Sequence, residues 1–243
     1  MALRVIDEGY DFMVVVVDDA WVFRFARREG VLPALETEIA LLPLLAPALP
    51  VEVPRFELVS REPPFVAYRL LEGEQLVDED PEGVRAFLDA LHALAVDPLP
   101  LERPDWVAGY RAQCAEFERT VLPLLPAHAQ GVARELFAQA ETLTGFEPAL
   151  VHGDLGPEHL LVRDGRLAAV IDWGDARIGD PALDYAWLLH GPFPGWPVDA
   201  DLRRRAAFYH RLAPWFEAHY GLVVESREHV ERGLEGIRAR LDP

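Results

Sequence analysis

Residues Val151 to Val162 read VHGDLGPEHLLV, and after Arg163-Asp164-Gly165-Arg166 the run Leu167 to Asp175 reads LAAVIDWGD. Asp164-Gly165 between two apolar runs predicts a two-residue hairpin turn, because both residues tolerate the positive φ that such a turn demands. That turn sets Val162 opposite Leu167 and, counting outward, His159 opposite Val170. Opposed residues share a face of the ribbon, as do residues two apart on one strand. His159 and Asp172 are therefore expected on the same side, within ~8 Å at the backbone, where both reach one metal ion. Asp154 sits in the loop that enters the hairpin. An acceptor-only carboxylate beside two converging metal-capable side chains is what activation of a hydroxyl next to a Mg²⁺-bound nucleotide requires.

Outward from this segment, the first seventy residues read as strands with one helix. Phe12 to Val17 is a β-branched run, Asp18-Asp19 is a turn signal, and Trp21-Val22-Phe23-Arg24-Phe25 alternates, which predicts a hairpin. Trp21, Phe23 and Phe25 then share one face and Arg24 points to the other. A helix is expected from about Val31 to Leu45, with Leu35, Ile39 and Leu42 on one stripe, Glu38 beside it, and Pro47 and Pro50 ending it. A strand over Pro64 to Leu71 runs into Glu72-Gly73, the expected boundary between a lobe of residues 1–72 and one of 73–243.

Past that boundary the pattern is mostly helical. Asp80-Pro81 supplies an N-cap and a first-turn proline for a helix carrying Val84, Phe87, Leu88, Leu91 and Leu94. Helices are expected over Pro104 to Leu125 and Ala127 to Leu143, and again from near Ala182, with a break at Gly191 to Pro197. Asp180 and Asp184 are expected to cap the next helix or brace the catalytic loop. His152 is read as a buried brace of its loop rather than a proton carrier.

Composition narrows the chemistry. The chain has 243 residues, 51% of them hydrophobic, and all 23 of its basic residues are arginine; it contains neither lysine nor asparagine. A lysine-based phosphate loop, a pyridoxal-phosphate Schiff base and a lysine general base are excluded, as is N-glycosylation. A net charge of −18 repels phosphate backbones, so nucleic acid is not an expected partner; it would attract a cationic substrate, although an acidic surface more often serves only solubility. The single cysteine, Cys114, cannot form an intramolecular disulfide, and Met1 to Tyr10 does not resemble a signal peptide, which points to the cytoplasm. The longest apolar stretch, Ile39 to Val51, is interrupted by Pro43, Pro47 and Pro50 and is shorter than the ~20 residues that span a bilayer, so no membrane segment is expected.

His-x-Asp-x₄-His followed by Ile-Asp-Trp-Gly-Asp resembles the catalytic and metal-binding loops of the aminoglycoside phosphotransferase family, whose members include macrolide kinases. Trp21 to Phe25 is similar to the strand that presents a basic residue to nucleotide phosphates, and the segment around Glu38 to the helix whose glutamate pairs with it. Gly179-Asp180-Pro181 and Asp184 match a pattern that follows the metal-binding loop. The resemblance is specific mid-chain, looser near the N-terminus and weak beyond about Gly191. It implies an α+β, bilobal protein-kinase-like fold: a small N-terminal antiparallel sheet lobe with one helix binds the nucleotide, and a larger, mainly helical lobe carries catalysis and acceptor binding.

Carried onto this chain, the resemblance implies that Asp154 deprotonates the acceptor hydroxyl and that Asp172 and His159 hold Mg²⁺ on the phosphates of ATP or GTP. It further implies that Arg24, paired with Glu38, contacts phosphate. The chain departs from kinase-like sites in having His159 where asparagine is usual, Arg24 where lysine is usual, and one glycine, in Glu8-Gly9-Tyr10-Asp11, in place of a glycine-rich loop. The expected activity is γ-phosphoryl transfer to a hydroxyl of an aminoglycoside-like antibiotic. The alternatives are a macrolide, homoserine-like or choline-like acceptor, a catalytically silent nucleotide-binding module, and a two-metal phosphoesterase built on His152, Asp154 and Asp172. Oligomeric state is left open.

Overall fold

The computed structural model describes residues 2–6, 11–101 and 103–241. Glu8, Gly9 and Tyr10, of the segment whose single glycine stands in place of a glycine-rich loop, lie outside the described residues. Packing divides the chain into two compact units, Met1–Glu102 with Ala149–Ile178, and Arg103–Pro148 with Gly179–Pro243.

The first unit begins with β1 (Leu3–Ile6), β2 (Phe12–Val17), β3 (Trp21–Ala26), β4 (Leu58–Arg61) and β5 (Pro64–Arg69), an antiparallel sheet in the order β1-β2-β3-β5-β4. The β2–β3 hairpin is the expected one. Asp18 and Asp19 take left-handed φ values of 51° and 47°, which aspartate tolerates better than most residues, and the Ala20 N–H closes the turn on Val17 O at 3.0 Å. Phe12 and Val66, inward on the sheet, pack with Val31 and Leu35, the latter on helix α1 (Leu32–Leu45). The short edge strands β1 and β4 carry no distinctive sequence signal and become strands by pairing with β2 and β5.

Next come β6 (Glu74–Gln75), helix α2 (Pro81–His92), β7 (Ala149–Val151), β8 (Leu160–Arg163), β9 (Arg166–Val170) and β10 (Arg177–Gly179). The β8–β9 turn is at Asp164 and Gly165, both at positive φ, and Val162 faces Leu167 as expected. Beyond that pair the register shifts, and Val170 faces Leu160 rather than His159. The reason is a docked segment: the Glu52 N–H donates to Ala168 O and Glu52 O accepts from the Val170 N–H, which draws one residue of β9 out of the ladder. His159 instead ends a 3₁₀ turn, Pro157–His159, and its carbonyl accepts the Ile171 N–H.

The second unit holds α3 (Trp106–Thr120), α4 (Ala127–Ala138), α5 (Ala186–Leu189), α6 (Ala200–Val223) and α7 (Arg227–Leu241). The helices expected to reach Leu125 and Leu143 stop earlier, each passing into 3₁₀ turns. Phe117, Phe137 and Trp215 pack ring to ring in the core. A side chain at Gly233 would collide with the Ala218 backbone, so glycine there lets α7 lie close on α6. Asp180 caps the turn Pro181–Leu183 through the Ala182 N–H, as expected of it, and also accepts from Arg205 Nε at 2.7 Å and the Tyr209 hydroxyl at 2.9 Å. Among the described residues no helix is long and apolar enough to cross a membrane.

Asp80 ties α2 to the β8–β9 hairpin: Oδ1 accepts the Gly83 N–H at 3.1 Å and Oδ2 the Leu167 N–H at 2.9 Å. It does so at a left-handed φ of 49°. Asp80→Ala removes a cap and orphans a strand N–H, and is expected to cost about 1–3 kcal/mol. Urea unfolding measures this, and a loss under a few tenths of a kcal/mol would show that the two bonds do not hold the hairpin.

Candidate active site

The residues singled out in sequence meet within the first unit. Arg24 leaves the inward face of β3 and Glu38 rises from α1, and both are buried, at 4% and 0% exposure. Arg24 Nη1 donates to Glu38 Oε1 at 2.7 Å while Nη2 donates to Asp172 Oδ1 at 3.0 Å. One guanidinium thus holds two carboxylates, one from a helix and one from the loop after β9. The Phe12 ring, 4.2 Å from Arg24 Cζ, supports its flat side. Sequence reasoning passed over Phe12, although its register opposite Ala26 and the two-residue parity of strands put it on the face of Arg24.

Asp172 sits at a left-handed φ of 63°, so its carboxylate leaves the line of β9 and turns back toward Arg24. Trp173 fixes that turn. Its backbone N–H donates to Glu38 Oε1 at 3.3 Å and its indole N–H to Val170 O at 3.0 Å, and the ring is fully buried against His152 and Phe87. This role was missed in sequence, where Trp173 reads only as a neighbour of Asp172. His152 is the buried brace expected of it: Nε2 donates to Ile171 O at 2.9 Å, and Nδ1 faces the Asp154 N–H at 3.4 Å. Gly153, at φ 90°, is required by contact, since a Cβ would collide with the carbonyl of Asp175.

His159 and Asp172 converge even though the register differs from the expected one. His159 Nδ1 donates to the carbonyl of Asp154 at 2.7 Å, which directs Nε2 toward Asp172 Oδ2 at 3.8 Å. Asp154 Oδ2 lies 3.9 Å from His159 Nδ1. The Asp154 and Asp172 side chains are about half exposed, at 48% and 51%. Arg24, Glu38, Asp154, His159 and Asp172 therefore line one site in the first unit.

The charges of the site differ in their settings. Burial pushes the Asp154 carboxyl up; His159 pulls it down and the carboxylates of Asp175, Asp172 and Glu158 push it up again, to about 6. Burial also acts to raise Asp172, but Arg24, His159 and His152 outweigh it and hold that carboxyl below its ordinary value. Glu38 is raised, first by burial and then by Asp172, against the pull of Arg24. Burial lowers His159, yet Asp172 and Asp154 raise it overall. One carboxylate is thus tuned toward accepting a proton near neutral pH and another toward staying ionised.

A divalent cation fits this donor set only as a shared guest. Among the described residues no three His, Cys, Asp or Glu side chains are grouped to hold a metal by themselves. Asp172 Oδ2 and His159 Nε2 offer two donors. Mg²⁺ keeps much of its water and takes one or two protein ligands together with substrate phosphates, which suits a cation that arrives with a nucleotide.

Comparison with known proteins places the chain among phosphotransferases. The model of the phosphotransferase enzyme family (APH) matches residues 2–219. The viomycin phosphotransferase of Streptomyces vinaceus is 32% identical over 203 residues, which cover 73% of this chain and 70% of that protein. The structure of the GDP and kanamycin complex of APH(2")-IIia aligns with a TM-score of 0.87 at 25% identity, over 98% of this chain and 92% of that one. The macrolide 2'-phosphotransferase MphH from Brachybacterium faecium aligns with a TM-score of 0.69 at 25% identity, over 99% and 91%. The fold is the expected α+β kinase-like one, with a small antiparallel sheet and one helix followed by a mainly helical C-terminal part.

Removing Arg24 strands a fully buried carboxylate, and breaking such a pair from one side typically costs about 3–5 kcal/mol. Arg24→Gln is expected to lower unfolding stability by that amount in urea titrations. A loss below about 1 kcal/mol would mean that Glu38 is not held as a buried ion.

Proposed function

The chain belongs to the phosphotransferase enzyme family, and from that membership we propose that it transfers the γ-phosphoryl group of ATP or GTP to a hydroxyl of a small, cationic, aminoglycoside-like antibiotic. The observation that carries the reading is the pairing of Asp154, raised toward neutrality, with Asp172, held ionised by Arg24. In the reaction the acceptor oxygen bonds to the γ-phosphorus, the bond from that phosphorus to the bridging oxygen breaks, and the nucleoside diphosphate leaves. Asp154 takes the hydroxyl proton. Asp172 Oδ2 and His159 Nε2 are the groups that would hold Mg²⁺. When bound, the cation supplies charge neutralisation at the phosphate oxygens. Arg24 orients Asp172 and adds positive charge beside the phosphates, and Glu38 keeps Arg24 in place.

The division of labour follows the sequence: residues 1–72 as the nucleotide-binding lobe and 73–243 as the catalytic and acceptor-binding lobe. The net charge of −18 supports a polycationic acceptor, as do the kanamycin-bound and gentamicin-bound structural relatives. The viomycin phosphotransferase and the macrolide enzymes favour a second reading, in which the same site serves viomycin or a macrolide. A cytoplasmic place in the cell accords with the use of nucleoside triphosphate.

Asp154→Asn keeps shape and hydrogen bonding but removes the proton acceptor. Single-turnover transfer is expected to fall by about 10²–10⁴-fold, with nucleotide affinity within a few-fold of the parent; a transfer rate near the parent's would remove Asp154 from the mechanism. Asp172→Ala is expected to abolish Mg²⁺-dependent nucleotide binding in calorimetry, and unchanged affinity would contradict its role. His159→Asn should retain substantial activity, because an amide oxygen is a harder ligand for Mg²⁺. Loss as complete as in Asp172→Ala would assign the imidazole a role of its own.

A further inference from the structure

Arg24 is poorly placed to touch a phosphate. It is 4% exposed, and its two Nη atoms are spent on Glu38 and Asp172, so it adds charge through space while turning little of its fork toward a ligand. The chain has no lysine to take over that contact. Carboxylates crowd the site as well, with Asp175, Asp172 and Glu158 all acting on Asp154. A nucleoside triphosphate brings further negative charge, and it gains from every cationic donor that can reach its oxygens.

Arg28 stands at the same end of the sheet. Phe12, whose ring lies 4.2 Å from Arg24 Cζ, pairs with Ala26 on the last rung of the β2–β3 ladder. Just beyond that rung the Arg27 N–H donates to Asp11 O at 2.9 Å, and Arg28 Nη2 donates to Asp11 Oδ1 at 2.6 Å. Asp11 is within electrostatic reach of the site: burial pushes its carboxyl up, Arg28 pulls it down, and Asp175 and Asp172 push it up again, leaving it above its ordinary value. The two side chains of the pair are nearly half exposed, at 44% and 46%. Arg28 is thus open to water and tethered to a carboxylate that shares the neighbourhood of Asp172.

We propose that Arg28 is a phosphate-binding residue that leaves Asp11 for the phosphates of the nucleotide when the nucleotide binds, an inference that rests on the phosphoryl-transfer reading of the site. The exchange is favourable on both sides. An exposed ion pair is weakly held, because water competes for both partners and salt screens them. A phosphate offers a guanidinium two parallel N–H bonds and more charge than one carboxylate. Asp11 has two effects: it keeps the arginine beside the site in the empty protein, and it competes with the incoming phosphates for the same N–H groups. The two partners of one ion pair therefore act on nucleotide affinity with opposite signs.

Calorimetric titration of the full chain with the Mg²⁺ complexes of the β,γ-imido analogues of ATP and GTP tests this. Arg28→Ala should weaken binding by about tenfold or more while keeping the circular dichroism of the parent. Asp11→Asn should tighten it, and that gain should shrink in the Arg28→Ala background, where there is no arginine to release. If Arg28→Ala does not fold, Arg28→Gln takes its place with the same expectations. A parent that binds an analogue no better than a folded Arg28→Ala, or an Asp11→Asn protein that loses as much affinity as Arg28→Ala, would overturn the role of Arg28 and leave the phosphoryl-transfer reading intact. A parent that binds neither analogue would overturn both.

Discussion

Arg24 sits between two carboxylates with almost no access to water, and that arrangement constrains the site around it. Its partners come from different parts of the chain, Glu38 on α1 and Asp172 after β9. The strand, the helix and the loop must all be in place before the guanidinium is satisfied. A guanidinium suits the task because its fork presents separate nitrogens to separate acceptors and stays charged under burial. Glu38 and Asp172 raise the pKa of Arg24 further despite its desolvation. A lysine ammonium is a point charge on a flexible stem, so the all-arginine composition is compatible with this architecture.

From that constraint follows the difference between Asp154 and Asp172. Asp172 is drawn toward Arg24 by its left-handed backbone and is held ionised. Asp154 lies on the other side of His159, among Asp175, Asp172 and Glu158 and with no arginine among the charges that set its pKa. Burial and neighbouring negative charge therefore raise it. The imidazole of His159 stands between them, with one nitrogen engaged by the Asp154 carbonyl and the other facing Asp172. The roles proposed for Asp154 and for Asp172 with His159 would thus be separated by a few ångströms, and no three His, Cys, Asp or Glu side chains are grouped to hold a metal among the described residues.

Much of this is legible in the chain because the signals are local. The aspartates of the β2–β3 turn and the alternation of Trp21 to Phe25 place Arg24 inward, and the apolar period of α1 places Glu38 near the core. Asp164-Gly165 sets the first pair of the β8–β9 ladder. What is not legible comes from distant segments. The register shift in β9 depends on Glu52, which docks from far upstream and takes the peptide groups around Ala169 out of the hairpin. His159 and Asp172 still meet, through a 3₁₀ turn and a positive φ rather than through facing strand positions. The contacts of Trp173 and Phe12 likewise depend on elements that assemble only in the folded chain.

The reaction proposed for this site is phosphoryl transfer onto a small-molecule hydroxyl. The most direct measurement incubates the parent with Mg²⁺ and ATP or GTP against kanamycin, gentamicin, viomycin, a macrolide, homoserine and choline, and weighs each acceptor by mass spectrometry. The expected result is one phosphoryl increment on a cationic antibiotic, matched by an equal yield of nucleoside diphosphate. Nucleotide that binds with Mg²⁺ but is never consumed, with every acceptor unchanged in mass, would contradict it and assign the chain to the catalytically silent class.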